Sequence, residues 1–257
     1  MFERNESVRP NNKIRYLLMS VMKTLSLRPI RDFLRQLFHV GKPPSKPRPY
    51  PNDYSYQASY MQHIPEGGII LDIASGHNPF PHATILSDRY LELTQHRREE
   101  IIVDQRPFVM LDIHHLPFAA KSIDYIYCSH VIEHAENPLQ ACFEMMRVGK
   151  AGYIETPTLM KDTLFSWAHE MGHKWHVVRM GNRLVFFEYD ERRQLGVRSS
   201  YWAEAVLSEQ YHPLQDLFYP NLDIFNTFIE WDAKFNVTVF YLDRSLPVHL
   251  DVDVKVN

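Results

Sequence analysis

Cysteine is scarce: the 257-residue chain has two, Cys128 and Cys142. Neither sits in a CxxC pair, which argues against a thiolate metal site or a disulfide framework. Two isolated thiols fit a protein that keeps them reduced, as in the cytoplasm. No apolar run approaches ~18–20 residues, so no transmembrane helix is expected. The first residues are rich in Asn, Arg and Glu and lack the apolar stretch of a signal peptide. An excess of positive charge is also missing. Lys and Arg number 28 against 31 Asp and Glu, a net charge of −3, so there is no global basic footprint for nucleic acid. A GKS/T phosphate cradle is absent, and no internal repeat is visible. With 45% hydrophobic and 23% charged residues, the composition is that of a globular domain with some decoration.

The decoration lies at the front. Residues 13–37 alternate basic and apolar side chains at helical spacing, with Pro29 dividing them into two helices. Such a segment is usually a helix packed on its domain, and its basic amphipathic face also suits a membrane surface or a partner. A proline-rich linker follows, so residues 1–52 read as a helical extension and 53–257 as the main domain. Within that domain 53–63 reads as a short aromatic helix.

The main domain is organised around Ile69–Pro81. Ile69-Ile70-Leu71-Asp72-Ile73 is a short apolar run that breaks into Ala74-Ser75-Gly76, the pattern of a buried strand entering a tight loop. Small side chains there let a ligand approach exposed backbone N–H groups. Asp72 is a carboxylate inside the strand and needs backbone partners or a role. Further strands are expected at 83–87, 108–111, 122–128 and 151–155. A helix is expected over 133–148, with Pro138 early and Gly149 as its C-cap. Only a few residues separate the first two strands, too few for a crossover helix of usual length. Either that helix is nearly deleted or the second run is not a parallel neighbour. After residue 157 the pattern is less regular: a helix over 161–170, a hairpin of 173–178 with 183–188, a helix over 201–209 and a closing strand over 235–242. The whole predicts an α/β fold with a mostly parallel, Rossmann-like sheet and helices on both faces.

Ligands of such sheets bind at the carboxyl ends of the strands. Those ends are Gly76, Asp88, Asp112, Ser129-His130 and Glu155-Thr156. An acid ending the second strand can accept from both hydroxyls of a ribose. One ending the third can accept from an exocyclic amine. Leu71–Gly76, Asp88, Leu111–Phe118, Ser122–His134 and Pro138 together resemble the class I S-adenosylmethionine-dependent methyltransferases of the methyltransferase domain 11 type. The resemblance covers about Ile69–Pro157, and Asp112–Pro138 is its most specific part.

That resemblance implies S-adenosylmethionine as cofactor. Asp72, Ala74, Ser75 and Gly76 would line its methionine part, Asp88 would hold the ribose, and Asp112 and Ile113 the adenine. Ser129 and His130 would lie beside the sulfonium. The methyl acceptor would be an O or N atom of a small molecule or glycan-like substrate, brought into line with the methyl group. Two departures stand out. The family loop commonly has glycine where Ala74 and Asn78 stand, and an alanine there calls for a negative φ. His77-Asn78-Pro79-Phe80-Pro81 replaces the usual helix, a truncated first crossover.

A competing motif is His169-Glu170-Met171-Gly172-His173, which matches the HExxH of zinc hydrolases. Gly172 followed by Lys174–Val178 reads instead as a helix end and a strand start. The leading reading therefore assigns no metal, and places His173 and His176 on the acceptor side as candidate bases. A third reading is a non-catalytic module that binds the cofactor and acts through its N-terminal helices. The expected location is cytoplasmic or peripheral at a membrane.

Overall fold

The computed structural model describes residues 55–94, 97, 99–165, 172–190, 205–206, 208 and 211–251. The chain divides between Lys46 and Pro47, and every described residue belongs to the second unit. The expected N-terminal helices (13–37), the linker and most of 201–209 lie outside the described residues. No described helix is long and apolar enough to cross a membrane.

Two sheets make up the described structure. The larger contains β1 (Ile70–Ile73), β2 (Ile85–Asp88), β3 (Phe108–Met110), β4 (Ile123–Ser129), β5 (Gly149–Pro157) and β8 (Asn226–Asp232) in the order β3-β2-β1-β4-β5-β8. Its first five strands run parallel and β8 closes it antiparallel to β5. The second sheet is β10-β9-β7-β6, formed by β6 (Trp175–Met180), β7 (Arg183–Glu188), β9 (Asn236–Phe240) and β10 (Val248–Leu250). The expected hairpin is there: β6 and β7 pair antiparallel about Gly181, whose φ is +62°. The expected closing strand is β9, but it joins this second sheet, parallel to β7, rather than the first.

The described helices are α1 (Ser55–Ala58), α2 (Pro138–Val148), α3 (Leu159–Phe165), α4 (Pro213–Phe218) and α5 (Leu222–Phe225). Alternation along the strands explains the layering. Ile126, Cys128 and Ile154 point to one face, under Cys142 and Met145 of α2 and Trp175, Phe186 and Val237 of the second sheet. Tyr125, Tyr127 and Tyr153 point to the other, where Met61 and Phe80 cover them. The two tyrosines of β4 are thus sheet packing, with Phe80 stacked on Tyr127 at 4.1 Å.

The first crossover is truncated. β2 is a parallel neighbour of β1, with Leu71 opposite Ile85, and no helix lies between them. Phe80 supplies the missing buried face, and Arg106 holds the connection by donating to the carbonyls of Phe80 and Ala83 at 2.9 and 3.3 Å.

Two local expectations are corrected. Ala74 has φ +58°, not a negative value. The chain turns back at once after β1, so that the Ser75 amide donates to Ser87 O at 2.7 Å, and this turn needs a left-handed residue. The helix expected from 133 begins at Pro138, capped by Asn137, whose side chain accepts from the Gln140 amide. Ile132–His134 is instead a short 3-10 turn, ended where Ala135 is extended. Gly149 is the C-cap of α2, as expected, its amide donating to Met145 O; its backbone is extended (φ −88°) because β5 starts there. A Cβ at 149 would lie 2.8 Å from Ile126 Cδ1 and 3.0 Å from Met145 O, so close packing is what requires this glycine.

Candidate active site at the carboxyl ends of the parallel strands

The strand order brings Ala74–Gly76, Asp88, Asp112 and Ser129-His130 to one edge of the sheet. Ser75 is buried and its hydroxyl also donates to Ser87 O, at 3.2 Å. Gly76 is left-handed (φ +54°), and its carbonyl accepts from the Ile102 amide at 2.9 Å. Asp72 accepts from the Phe80 amide at 2.7 Å, so a backbone donor does meet the strand carboxylate. Burial pushes its carboxyl up to about 7, against the Phe80 amide and the charge of Arg106.

Asp88, the candidate ribose acceptor, is engaged within the chain. Its Oδ2 accepts from Arg97 Nη1 at 2.7 Å and its Oδ1 from the Tyr90 amide at 3.0 Å. Side-chain exposure is 8% for Arg97 and 9% for Asp88, so the pair is buried. The same guanidinium caps the carbonyls of Tyr90, Leu91 and Glu92. Asp112 accepts from the His114 amide at 2.9 Å and ring at 2.5 Å, with Arg89 at 3.4 Å. Burial raises the Asp112 carboxyl, but these donors outweigh it and hold it below the usual range. Ile113 is buried beside it.

Beyond β4 the polar groups become dense. His130 is left-handed (φ +56°) and its amide donates to Glu155 O at 2.8 Å. Its ring lies between two buried carboxylates, Nδ1 3.5 Å from Glu133 and Nε2 3.4 Å from Glu155. Burial and the charge of Lys161 push the ring's pKa down, but the two carboxylates win and raise it. Glu155 is fully buried and accepts from Tyr56, Gln57 and Tyr153 at 2.6, 2.6 and 2.7 Å. Lys161, also buried, donates to Asn226 Oδ1 at 2.6 Å, and burial takes its pKa down to about 8.

His173 and His176 converge on Asp162 of α3, at 2.9 and 3.6 Å. Burial raises the Asp162 carboxyl, but the two rings offset this and hold it low. The ring of His173 also packs edge-on against His134 at 4.7 Å. The residues therefore form a chain: His130 beside Glu133, Glu133 beside His134, and His134 against His173. His169 and Glu170 of the HExxH motif lie outside the described residues.

Sequence reasoning missed Tyr56, Gln57, Lys161 and Asp162. The helical spacing of Asp162 and Phe165 puts a carboxylate and an aromatic ring on one face of α3, a signal that a polar group is being buried.

Residues 82–154 match the model of a family described as a methyltransferase domain. No curated protein matches. Among solved structures, the YcgJ protein of Bacillus subtilis is similar at 21% identity and a TM-score of 0.29, over 35% of this chain and 44% of that one. A SAM-dependent methyltransferase of Thermotoga maritima is similar at 20% identity and a TM-score of 0.29, over 37% of this chain and 46% of that one. A complex containing the Trm112 methyltransferase activator of Haloferax volcanii gives 13% identity and a TM-score of 0.44, over 71% and 90%. The chain thus spans less than half the length of the first two. The family match covers β2 to β5 of the parallel sheet, with Asp88, Asp112, Ser129 and His130 among its residues. That segment, and the mostly parallel strand order that it builds, is the part of the chain that is similar to a methyltransferase domain.

Proposed function

We propose that this chain transfers the methyl group of S-adenosylmethionine to an O or N atom of a small or glycan-like acceptor. The observation that carries this reading is the methyltransferase-domain match over 82–154, on strands whose carboxyl ends are small, acidic and polar in the order such a cofactor needs.

The residues present suit the cofactor at two points. A Cβ at Gly76 would meet nothing closer than Arg97 Cδ at 3.5 Å, so the loop leaves its backbone open to close approach. Asp112 keeps an ionised carboxylate partly open to solvent, able to accept from an adenine amine. Asp88 is different: ribose hydroxyls reach it only by sharing it with Arg97 or displacing that guanidinium. When bound, the sulfonium supplies an electrophilic methyl group. Ala74, Ser75 and Gly76 would hold the amine and carboxylate of the methionine part, with Asp72 below them. Ser129 and His130 would border the acceptor, with His173 and His176 further out. The carboxylates of Glu133 and Glu155 favour the imidazolium form of His130, which would let its ring donate a hydrogen bond to the acceptor. A base is required only for an acceptor that is protonated at the working pH.

Calorimetry with S-adenosylhomocysteine tests the reading. One-to-one binding is expected, weakened at least about tenfold by Asp112→Ala, the loss of one hydrogen bond to a charged group. Absence of binding by the intact chain sinks it.

A further inference from the structure

A buried carboxylate beside the candidate site lacks an aligned hydrogen-bond partner among the described residues. Glu133 has a side-chain exposure of 1%, and among the described residues neither of its oxygens has a hydrogen-bond partner. Two imidazole nitrogens lie near it, His130 Nδ1 at 3.5 Å and His134 Nε2 at 3.9 Å, too long or misaligned to bond. Burying a carboxylate in this way costs several kcal/mol unless a cation offsets it.

The surroundings are those of a ligand set. One donor atom each from Glu133, His134 and His173 lies within 4.8 Å of the other two. Ligands on one first-row ion stand about 3–4 Å apart at metal–ligand bonds of about 2.0–2.2 Å, so small side-chain shifts close the set. The two rings are turned to suit. His134 points Nδ1 at Gly172 O (3.4 Å) and Nε2 toward Glu133. His173 points Nδ1 at Asp162 Oδ1 at 2.9 Å, leaving Nε2 for an ion. A carboxylate behind the far nitrogen of a ligating imidazole is the usual support of a metal-bound histidine. The Asp162 oxygens, like those of Glu133, lack an aligned partner among the described residues, and a modest rotation of the His173 ring aligns them.

The backbone holds the two halves of the set together. The Lys174 amide donates to Glu133 O at 2.8 Å, and Trp175 Nε1 donates to Ala135 O at 2.6 Å. An ion pair joins Lys174 to Glu136. The turn at 132–136 and the lead into β6 are therefore stitched on both sides of the three donors, which positions them before any ion arrives.

We propose that Glu133, His134 and His173 form a site for one divalent first-row transition-metal ion, Zn2+ foremost, with Asp162 as the positioning residue behind His173. Two imidazoles and one carboxylate select such ions over Mg2+ or Ca2+, which prefer all-oxygen shells. Three protein donors leave a coordination position for water or a substrate oxygen. The site does not rest on the methyl-transfer reading and is tested apart from it.

The full chain, free of any purification tag and treated with chelator, is titrated with ZnCl2 by calorimetry, with metal content measured after desalting. One equivalent of Zn2+ is expected, undisturbed by millimolar Mg2+. Glu133→Gln and His173→Ala lose the ion, while Asp162→Asn keeps the stoichiometry and weakens affinity about 10–100-fold. His63→Ala, a histidine elsewhere on the molecule, binds as the parent does. Zinc uptake unchanged in both Glu133→Gln and His173→Ala, or no uptake by the parent, overturns the proposal. Should those variants fail to fold, X-ray absorption of the zinc-loaded parent decides: two imidazole nitrogens on the ion are expected, and fewer than two overturns the site.

Discussion

Ala74 holds a left-handed backbone (φ +58°) at the turn out of β1, a conformation that costs an alanine roughly 1–2 kcal/mol over glycine. Glycine gives some of this back through its freer unfolded chain. Ala74→Gly is therefore expected to stabilise the protein by about 0.5–1 kcal/mol, seen as a higher denaturant midpoint at unchanged slope. A lower midpoint would mean that the alanine methyl packs usefully. Asp72, two residues earlier, gives a pH signature. Its carboxyl is raised from 3.8 to about 7 by burial, so between those values the native state holds a proton that the unfolded state has lost. Stability from this group is complete below pH 4 and falls as pH rises to 7. Asp72→Asn keeps an oxygen for the Phe80 amide and removes the titration. Its stability relative to the parent should be roughly 3 kcal/mol better at pH 8 than at pH 5, measured by denaturation at both. An equal difference at the two pH values would show that Asp72 is ionised in the fold.

At the scale of elements, the segment after β2 depends on one side chain. Arg97 ties Asp88 to three carbonyls of residues 90–92, with no helix or strand among the described residues of 91–105 to do so. Arg97→Ala should raise amide exchange over 89–102 at least about tenfold and leave β1 and β4 protected. If exchange spreads to β1, the segment is part of the core instead. Gly152 is the tightest point of the sheet: a Cβ there would lie 2.5 Å from Ile126 O and 2.8 Å from Trp231 Cζ2. Backbone on one side and an indole on the other leave no room, so Gly152→Ala should cost about 3 kcal/mol, or roughly 6–12 °C in Tm. What the sequence made legible follows from the range of each signal. Strand ends such as Asp88, Asp112 and Ser129 are written locally, as apolar runs stopped by a polar residue, and the β6–β7 hairpin is written in its turn. The Arg97–Asp88 pair was not legible, because nothing local distinguishes Arg97 from its neighbours in a polar stretch. Nor was the parallel pairing of β7 with β9, whose partners meet only after some fifty residues of intervening chain.

On the scale of the whole unit, one apolar cluster joins both sheets through α2: Ile126 and Ile154 from the first, Met145 from the helix, Trp175, Phe186 and Val237 from the second. Elements that share a core unfold together, whereas a sheet docked by a polar seam opens by itself. Trp175 decides between these. It is buried, packs edge-on against Phe186 and Tyr241, and its indole N–H donates to Ala135 O. Trp175→Ala removes that packing and strands a carbonyl, a loss of about 3–5 kcal/mol. In the parent, the slowest amides of β4 and of β7 should report the same opening free energy, and the substitution should lower both by the same amount. Because Lys174 and Trp175 also bind the 132–136 turn, unequal loss, with β7 exposed and β4 still protected, would make the second sheet a separately opening layer. The donors of Glu133, His134 and His173 would then be brought together only while that layer is closed.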